Sequence, residues 1–225
     1  DTEGLTGDDK AYGVRAELDT QGTGVGGAVG YEYFGDDYRP ALGFANRLGV
    51  ETFTIDGSGR YFVQKHPFIR VLSSFANYEY TRSLSTGELQ SESVFWAPLN
   101  INSHRGDQVG LNINRDREGL DAPFQISPGI VLPAGEYTFL SAGMQFRVSN
   151  QRLFAPSIRL NQGEFYNGDR SRVQVGADWR PNQHLYMNFN YDYQDIQLPA
   201  GDFKVRLVSA NVLYAFNSKW SWINL

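Results

Sequence analysis

SRVQVGADWRPNQHLYMNFNYDYQDIQLPAGDFKVRLVSANVLYAF, residues 171–216, decides how the chain folds, because a two-residue period runs through three consecutive segments of it. In His184–Gln194, Leu185, Met187, Phe189, Tyr191 and Tyr193 fall on one face, and His184, Tyr186, Asn188, Asn190, Asp192 and Gln194 on the other. Successive side chains of a strand point to opposite sides, so this segment reads as a strand with one dry and one wet face. The preceding segment sets Val173, Val175, Ala177 and Trp179 against Arg172, Gln174, Gly176, Asp178 and Arg180. The following one sets Val208, Ala210, Val212, Tyr214 and Phe216 against Ser209, Asn211, Leu213 and Ala215. Each run is about ten residues long, the length a tilted strand needs to cross the hydrocarbon of a bilayer.

The connections around these runs differ in length. Arg180-Pro181-Asn182-Gln183 reads as a tight turn, and Asp195–Phe203 (DIQLPAGDF) as a long loop. Outer-membrane barrels alternate short periplasmic turns with long extracellular loops, so the same alternation is sought along the rest of the chain. Residues 1–10 (DTEGLTGDDK) read as a polar tail. Strands are expected over Ala11–Thr20, then from Gly24, over Arg47–Asp56, Glu88–Ile101, Asp107–Arg117 and Glu136–Ser149, and through Ile158 and Leu160. The short connections are Gln21-Gly22-Thr23, Asp56-Gly57-Ser58-Gly59, Asn102–Gly106 and a turn near Asn150. The long ones are Gly35–Asn46, Thr81–Gly87, Glu118–Gly135 (with PFQISPGIVLP) and Gly163–Arg170. The alternation holds from Gln21 to Ser218 if Arg60–Tyr80 is one bulged strand, and WSWINL (Trp220–Leu225) begins a last one. In the second strand, Gly24, Gly26, Ala28 and Gly30 form a face so small that a large neighbouring side chain is expected to pack over it.

This pattern predicts an all-β protein: an antiparallel transmembrane β-barrel over residues 11–225, partial or unclosed, of about twelve strands. Composition agrees. The 225 residues carry no cysteine, 24 Gly, 9 Pro, 13 Tyr and 15 Phe, and a net charge of −5 with acids and bases interspersed. A disulfide scaffold and a thiolate metal site are excluded, and no basic stripe recommends nucleic acid as a partner. No run approaches the length of a transmembrane helix, whereas a barrel strand needs only half its residues apolar. The chain opens at Asp1 without an initiator Met and is expected to be a processed or excised piece of something longer.

Aromatic placement points the same way. Trp179, Tyr214, Phe216, Trp220 and Trp222 gather at the end of the short turns, and Tyr191 and Tyr193 at the other, as two interfacial girdles would. The wet faces would then line a hydrated lumen with Gln145, Arg147, Arg159, Asn161, Gln174, Asp178, Asn188, Asn190, Ser209 and Asn211. Arg170, Arg172, Lys204 and Arg206 follow the expected long loops and are candidates for pairing with lipopolysaccharide phosphates at the rim.

Three segments carry a resemblance: GYEYFGDDYRPALGF (Gly30–Phe44), REGLDAPFQISPGIVLPAGEYTF (Arg117–Phe139) and NVLYAFNSKWSWINL (Asn211–Leu225). The chain resembles, from about Tyr31 onward, the C-terminal barrel of an uncharacterised bacterial outer-membrane family. In that family the barrel follows a β-sandwich similar to carbohydrate-binding family nine. The resemblance implies a Gram-negative outer-membrane location and an excerpt that lacks the N-terminal module and the family's later strands. It implies no catalytic residue.

Chemical motifs are few. Gly22, Gly24 and Gly27 match a dinucleotide-loop spacing, but a strand rather than a helix follows them. His66, His104 and His184 share no ligand spacing, so neither a metal nor another cofactor is expected. Carboxylates cluster in expected loops: Asp36 and Asp37; Asp116, Glu118 and Asp121; Asp192, Asp195 and Asp202. Function is therefore expected to be that of a non-enzymatic pore or uptake barrel for small polar solutes or polymer fragments. The alternatives are an outer-membrane hydrolase using loop carboxylates and a soluble secreted sandwich that binds sugars through exposed Tyr and Trp.

Overall fold

The computed structural model describes residues 10–20, 24–39, 47–217 and 219–224. Residues 1–9 of the polar tail, the Gln21-Gly22-Thr23 turn, part of the Gly35–Asn46 loop, Ser218 and Leu225 lie outside the described residues. The described residues form an all-β, antiparallel fold without helices. Its strands are β1 (Ala11–Leu18), β2 (Gly24–Phe34), β3 (Val50–Phe62), β4 (Ile69–Ser83), β5 (Leu89–Ser103), β6 (Gln108–Leu120) and β7 (Phe124–Ser127). Then come β8 (Ile130–Leu132), β9 (Gly135–Arg147), β10 (Phe154–Phe165), β11 (Gly168–Trp179), β12 (Leu185–Leu198), β13 (Gly201–Ala215) and β14 (Ser221–Asn224). Twelve strands make one sheet in sequence order from β1 to β6 and from β9 to β14, and β7 pairs only with β8. The expected twelve strands are present. The order is open, with β1 and β14 at its ends, and no closing pair joins them among the described residues.

The expected alternation of loop lengths does not hold. Asp195–Phe203 is not a loop: Asp195, Ile196, Gln197 and Leu198 pair with Lys204, Phe203, Asp202 and Gly201, leaving only Pro199 and Ala200 to turn. Gly163–Arg170 likewise collapses to Tyr166 and Asn167 between β10 and β11. Backbone hydrogen bonding to a facing strand overrides the loop composition in both places. Asp56-Gly57-Ser58-Gly59 is no turn either but the interior of β3, and the reversal comes at residues 63–68, where Lys65 takes a positive φ of 63°. The bulged strand over Arg60–Tyr80 is accordingly β4, displaced to Ile69–Ser83. The Pro123–Pro133 run forms the β7–β8 hairpin around Gly129, whose φ of 79° suits a residue without Cβ.

Two compact units divide the chain, residues 1–59, 75–96 and 114–138, and residues 60–74, 97–113 and 139–225. In the first, Arg15 pairs in register with Gly30 and reaches across β2 to Asp56 of β3, 2.8 Å away. The small face of β2 thus admits a large side chain, as its glycines implied. Asn77 donates to the same carboxylate at 2.8 Å. On the opposite face Tyr12 stacks on Tyr33 at 4.9 Å, and the Tyr31 hydroxyl donates to Glu51, which also pairs with Arg82.

In the second unit β9 to β13 form an unbroken five-strand wall whose register shows no bulge. Its tight turns have local causes. Asn182 Oδ1 accepts from the amides of His184 and Leu185, at 2.9 and 3.0 Å, and so starts β12. Tyr166 takes a left-handed φ of 52° and is held by ring contacts to Phe165 at 4.9 Å and Phe139 at 5.3 Å.

Candidate functional site

Register fixes two neighbouring rows across the β9–β13 wall. Phe146, Ile158, Val175, Tyr191 and Val208 stand side by side in one. Gln145, Arg159, Gln174, Asp192 and Leu207 stand in the next, one residue along, and therefore point to the opposite face. In the first row Phe146, Ile158, Val175 and Val208 are 39–66% exposed. Among the described residues the buried apolar side chains are few and scattered, and Leu132 alone combines size with full burial. A water-soluble domain of this length buries most of its apolar surface in a core. Here the apolar row is the uncovered one.

The second row is polar and internally bonded except at its end, where Leu207 of β13 stands opposite Asp192. Arg159 donates to the side-chain oxygens of Gln145 and Gln174 at 3.3 and 3.4 Å. Asp192 takes a side-on pair from Arg172 at 3.0 and 2.5 Å, and Gln174 Nε2 at 3.2 Å. Further along the wet face Asp178 accepts from the Tyr186 hydroxyl at 2.6 Å and from Asn188 at 2.8 Å, while Asn190 donates to Asn188 at 2.6 Å. Asn211 stands in register with Asn188. Asn161 faces Gly143, where an added Cβ would lie 3.0 Å from its Nδ2.

Between Arg147 and Arg159 the wall is hollow. Ser157, Gly176 and Ser209 supply the small side chains, and the resulting groove holds about 560 Å³. A Cβ at Gly176 would come 2.8 Å from Ser157 Oγ and 3.1 Å from Asn190 Oδ1, so glycine is what lets those two groups approach. Gln145, Arg147, Arg159, Gln174, Asn190, Asp192 and Ser209, all expected on the wet face, share this groove. Ser157 was not marked by the sequence, because a single Ser in a strand carries no signal until its neighbours are known.

The four basic residues expected at a loop rim sit within strands. Arg172 is held by Asp192, and Arg170 lies 4.4 Å from the centre of the Phe165 ring. Lys204 lies 3.5 Å from Asp195, and Arg206 lies 5.7 Å from the Tyr193 ring centre. The carboxylates expected as loop clusters are dispersed as well: Asp192, Asp195 and Asp202 are strand residues, Asp116 accepts from Ser93, and Asp121 accepts from Gln90. His66 and His104 meet in neighbouring turns, with His104 Nε2 2.9 Å from the His66 carbonyl oxygen.

Of the expected aromatic belt, Trp179 stands beside Phe154, and Tyr214 beside Trp222 and Phe216, the last at 4.9 Å. All five of these rings, with Trp220, are 40–73% exposed. Tyr191 and Tyr193 occupy the other end of the dry face and are half-buried. No protein-family model, curated protein or solved structure matches this chain.

Proposed function

We propose that this chain forms most of a transmembrane β-barrel in a bacterial outer membrane, working as a pore or uptake barrel for small polar solutes or polymer fragments. The observation that carries the reading is the inverted polarity of the β9–β13 wall: its exposed face is apolar and its bonded face is polar. In water that arrangement would leave an apolar sheet face uncovered; in lipid it is the ordinary one. From Arg206 to Phe216, just past the end of β13, the dry face runs about 33 Å along the chain at roughly 3.3 Å per residue, or about 25 Å after the usual barrel tilt of about 40°. That is the height of an outer-membrane apolar band, with aromatic rings at both limits.

The wet face supplies the path. Amides and paired charges would line a hydrated interior, where side chains bonded to one another hold the wall while leaving the groove open. In this reading the outer charges Lys204, Asp195 and Arg206 meet headgroups and lipopolysaccharide. By its resemblance to the family named above, the barrel would follow a carbohydrate-capturing module in the parent protein.

The test is fractionation of the parent protein, followed by a gel of the unboiled and boiled detergent extract. Outer-membrane recovery with a mobility shift on boiling is the expected result, followed by conductance in planar bilayers. A protein that stays in solution without detergent and shows no shift overturns the reading.

A further inference from the structure

We infer that the groove between Arg147 and Arg159 is a binding site for a carboxylate borne on a polyhydroxylated body, the chemistry of a sugar acid or a short acidic oligosaccharide. The inference takes its purpose from the uptake-barrel reading, whereas its chemistry rests on the wet face alone.

Charge is distributed unevenly in the groove. Asp192 is already satisfied by the two nitrogens of Arg172 and by Gln174. Asp178, at the margin, is occupied by Tyr186 and Asn188. Neither Arg147 nor Arg159 has a carboxylate within 4.0 Å among the described residues, although Asp178 attracts Arg147 from beyond that distance. Arg159 meets only neutral amide oxygens, at 3.3–3.4 Å, near the limit of a hydrogen bond. Its guanidinium offers five donors in a fixed fork that fits a carboxylate with two parallel bonds. The two amides hold that fork in place without neutralising it.

The rest of the groove suits the body of such a ligand. Beyond the bonds already described, Gln145, Gln174 and Asn190 each keep an amide hydrogen and an oxygen lone pair, and Ser157 and Ser209 add hydroxyls. Gly176 keeps the floor low between them. A volume of about 560 Å³ falls within the range of about 300–1,000 Å³ of small-molecule sites. A neutral sugar would use the amides but leave the Arg159 fork without a carboxylate. An inorganic anion would answer the cations but waste the amides. A sugar acid uses both sets.

The test is equilibrium binding of glucuronate to the full-length protein in detergent micelles, with glucose and chloride as comparators. Glucuronate is expected to bind at least tenfold more tightly than glucose, and Arg159→Gln and Arg147→Gln each to weaken it by about tenfold or more. Arg159→Lys keeps the charge but loses the fork and is expected to bind more weakly than the parent, while Lys219→Gln, which removes a cation outside the groove, is expected to bind like it. Each variant is first checked for the parent's mobility shift on boiling, so that a misfolded Arg159→Gln leaves the question to Arg159→Lys and Arg147→Gln. Equal affinity for glucuronate and glucose, or glucuronate binding untouched by the arginine variants, overturns the inference. Conductance measured on the same preparation separates the two readings. Channels without glucuronate preference sink the groove and leave the barrel, whereas glucuronate binding without channels sinks the pore and leaves the groove.

Discussion

The body and the tip of the β12–β13 hairpin have opposite polarity. In the body, Met187, Phe189 and Tyr191 share the dry face with Val208, Ala210 and Val212, while Asn188, Asn190, Ser209 and Asn211 fill the wet one. Near the Pro199-Ala200 turn the two-residue period continues but its contents exchange places. Ile196 and Leu198, on the side of Asp192, are 4% and 5% exposed, and Asp195 and Lys204 occupy the side of Tyr191. The tip is built like a water-soluble sheet, with an apolar inner face that continues in Phe139, Phe165 and the ring-stacked Arg170. The body is built the other way round. Under the proposed function the exchange marks where the strand would leave hydrocarbon and enter water. The change falls at Tyr193 and Arg206, where an aromatic ring and a long basic side chain meet.

Substitutions in the two regions should therefore behave differently. If the proposed membrane reading holds, Val175→Arg, on the dry face of the body, is expected to destabilise the protein in lipid vesicles by about 2–4 kcal/mol in a reversible unfolding titration. A change within about 0.5 kcal/mol, the norm for a solvent-exposed site, would refute a lipid-facing body. Leu198→Ala, in the tip, is expected to cost about 2–3 kcal/mol through lost burial and a residual cavity. Its effect should be the same in micelles and in vesicles of different acyl-chain length; dependence on chain length would place the tip in the membrane. Tyr186→Phe removes the 2.6 Å bond to Asp178 on the wet face and is expected to cost about 1 kcal/mol. Loss of several times that would mean that the Asn188 bond does not hold Asp178 once the hydroxyl is gone. Lys204→Gln breaks an exposed ion pair with Asp195 and is expected to leave the unfolding midpoint unchanged at physiological salt. A clear shift would show that this pair is shielded from water and that the boundary lies nearer the turn.

The sequence alone determined the strands of the wall and the assignment of their faces, because the two-residue period is a property of each strand by itself. Val173, Val175, Asn188 and Asn190 fall where their spacing puts them. It also marked the groove's polar residues other than Ser157, although it could not show that they meet. What the tertiary structure decided is where strands end and which side chains become neighbours. Asp195–Leu198 and Gly57–Gly59 look like loop by composition, yet each is extended because a partner strand offers its backbone hydrogen bonds there. The hollow between Arg147 and Arg159 exists only because register sets Ser157 against Gly176 and Gly176 against Asn190. Periodicity is local to one strand; register joins residues far apart in the chain, and only the assembled sheet sets it.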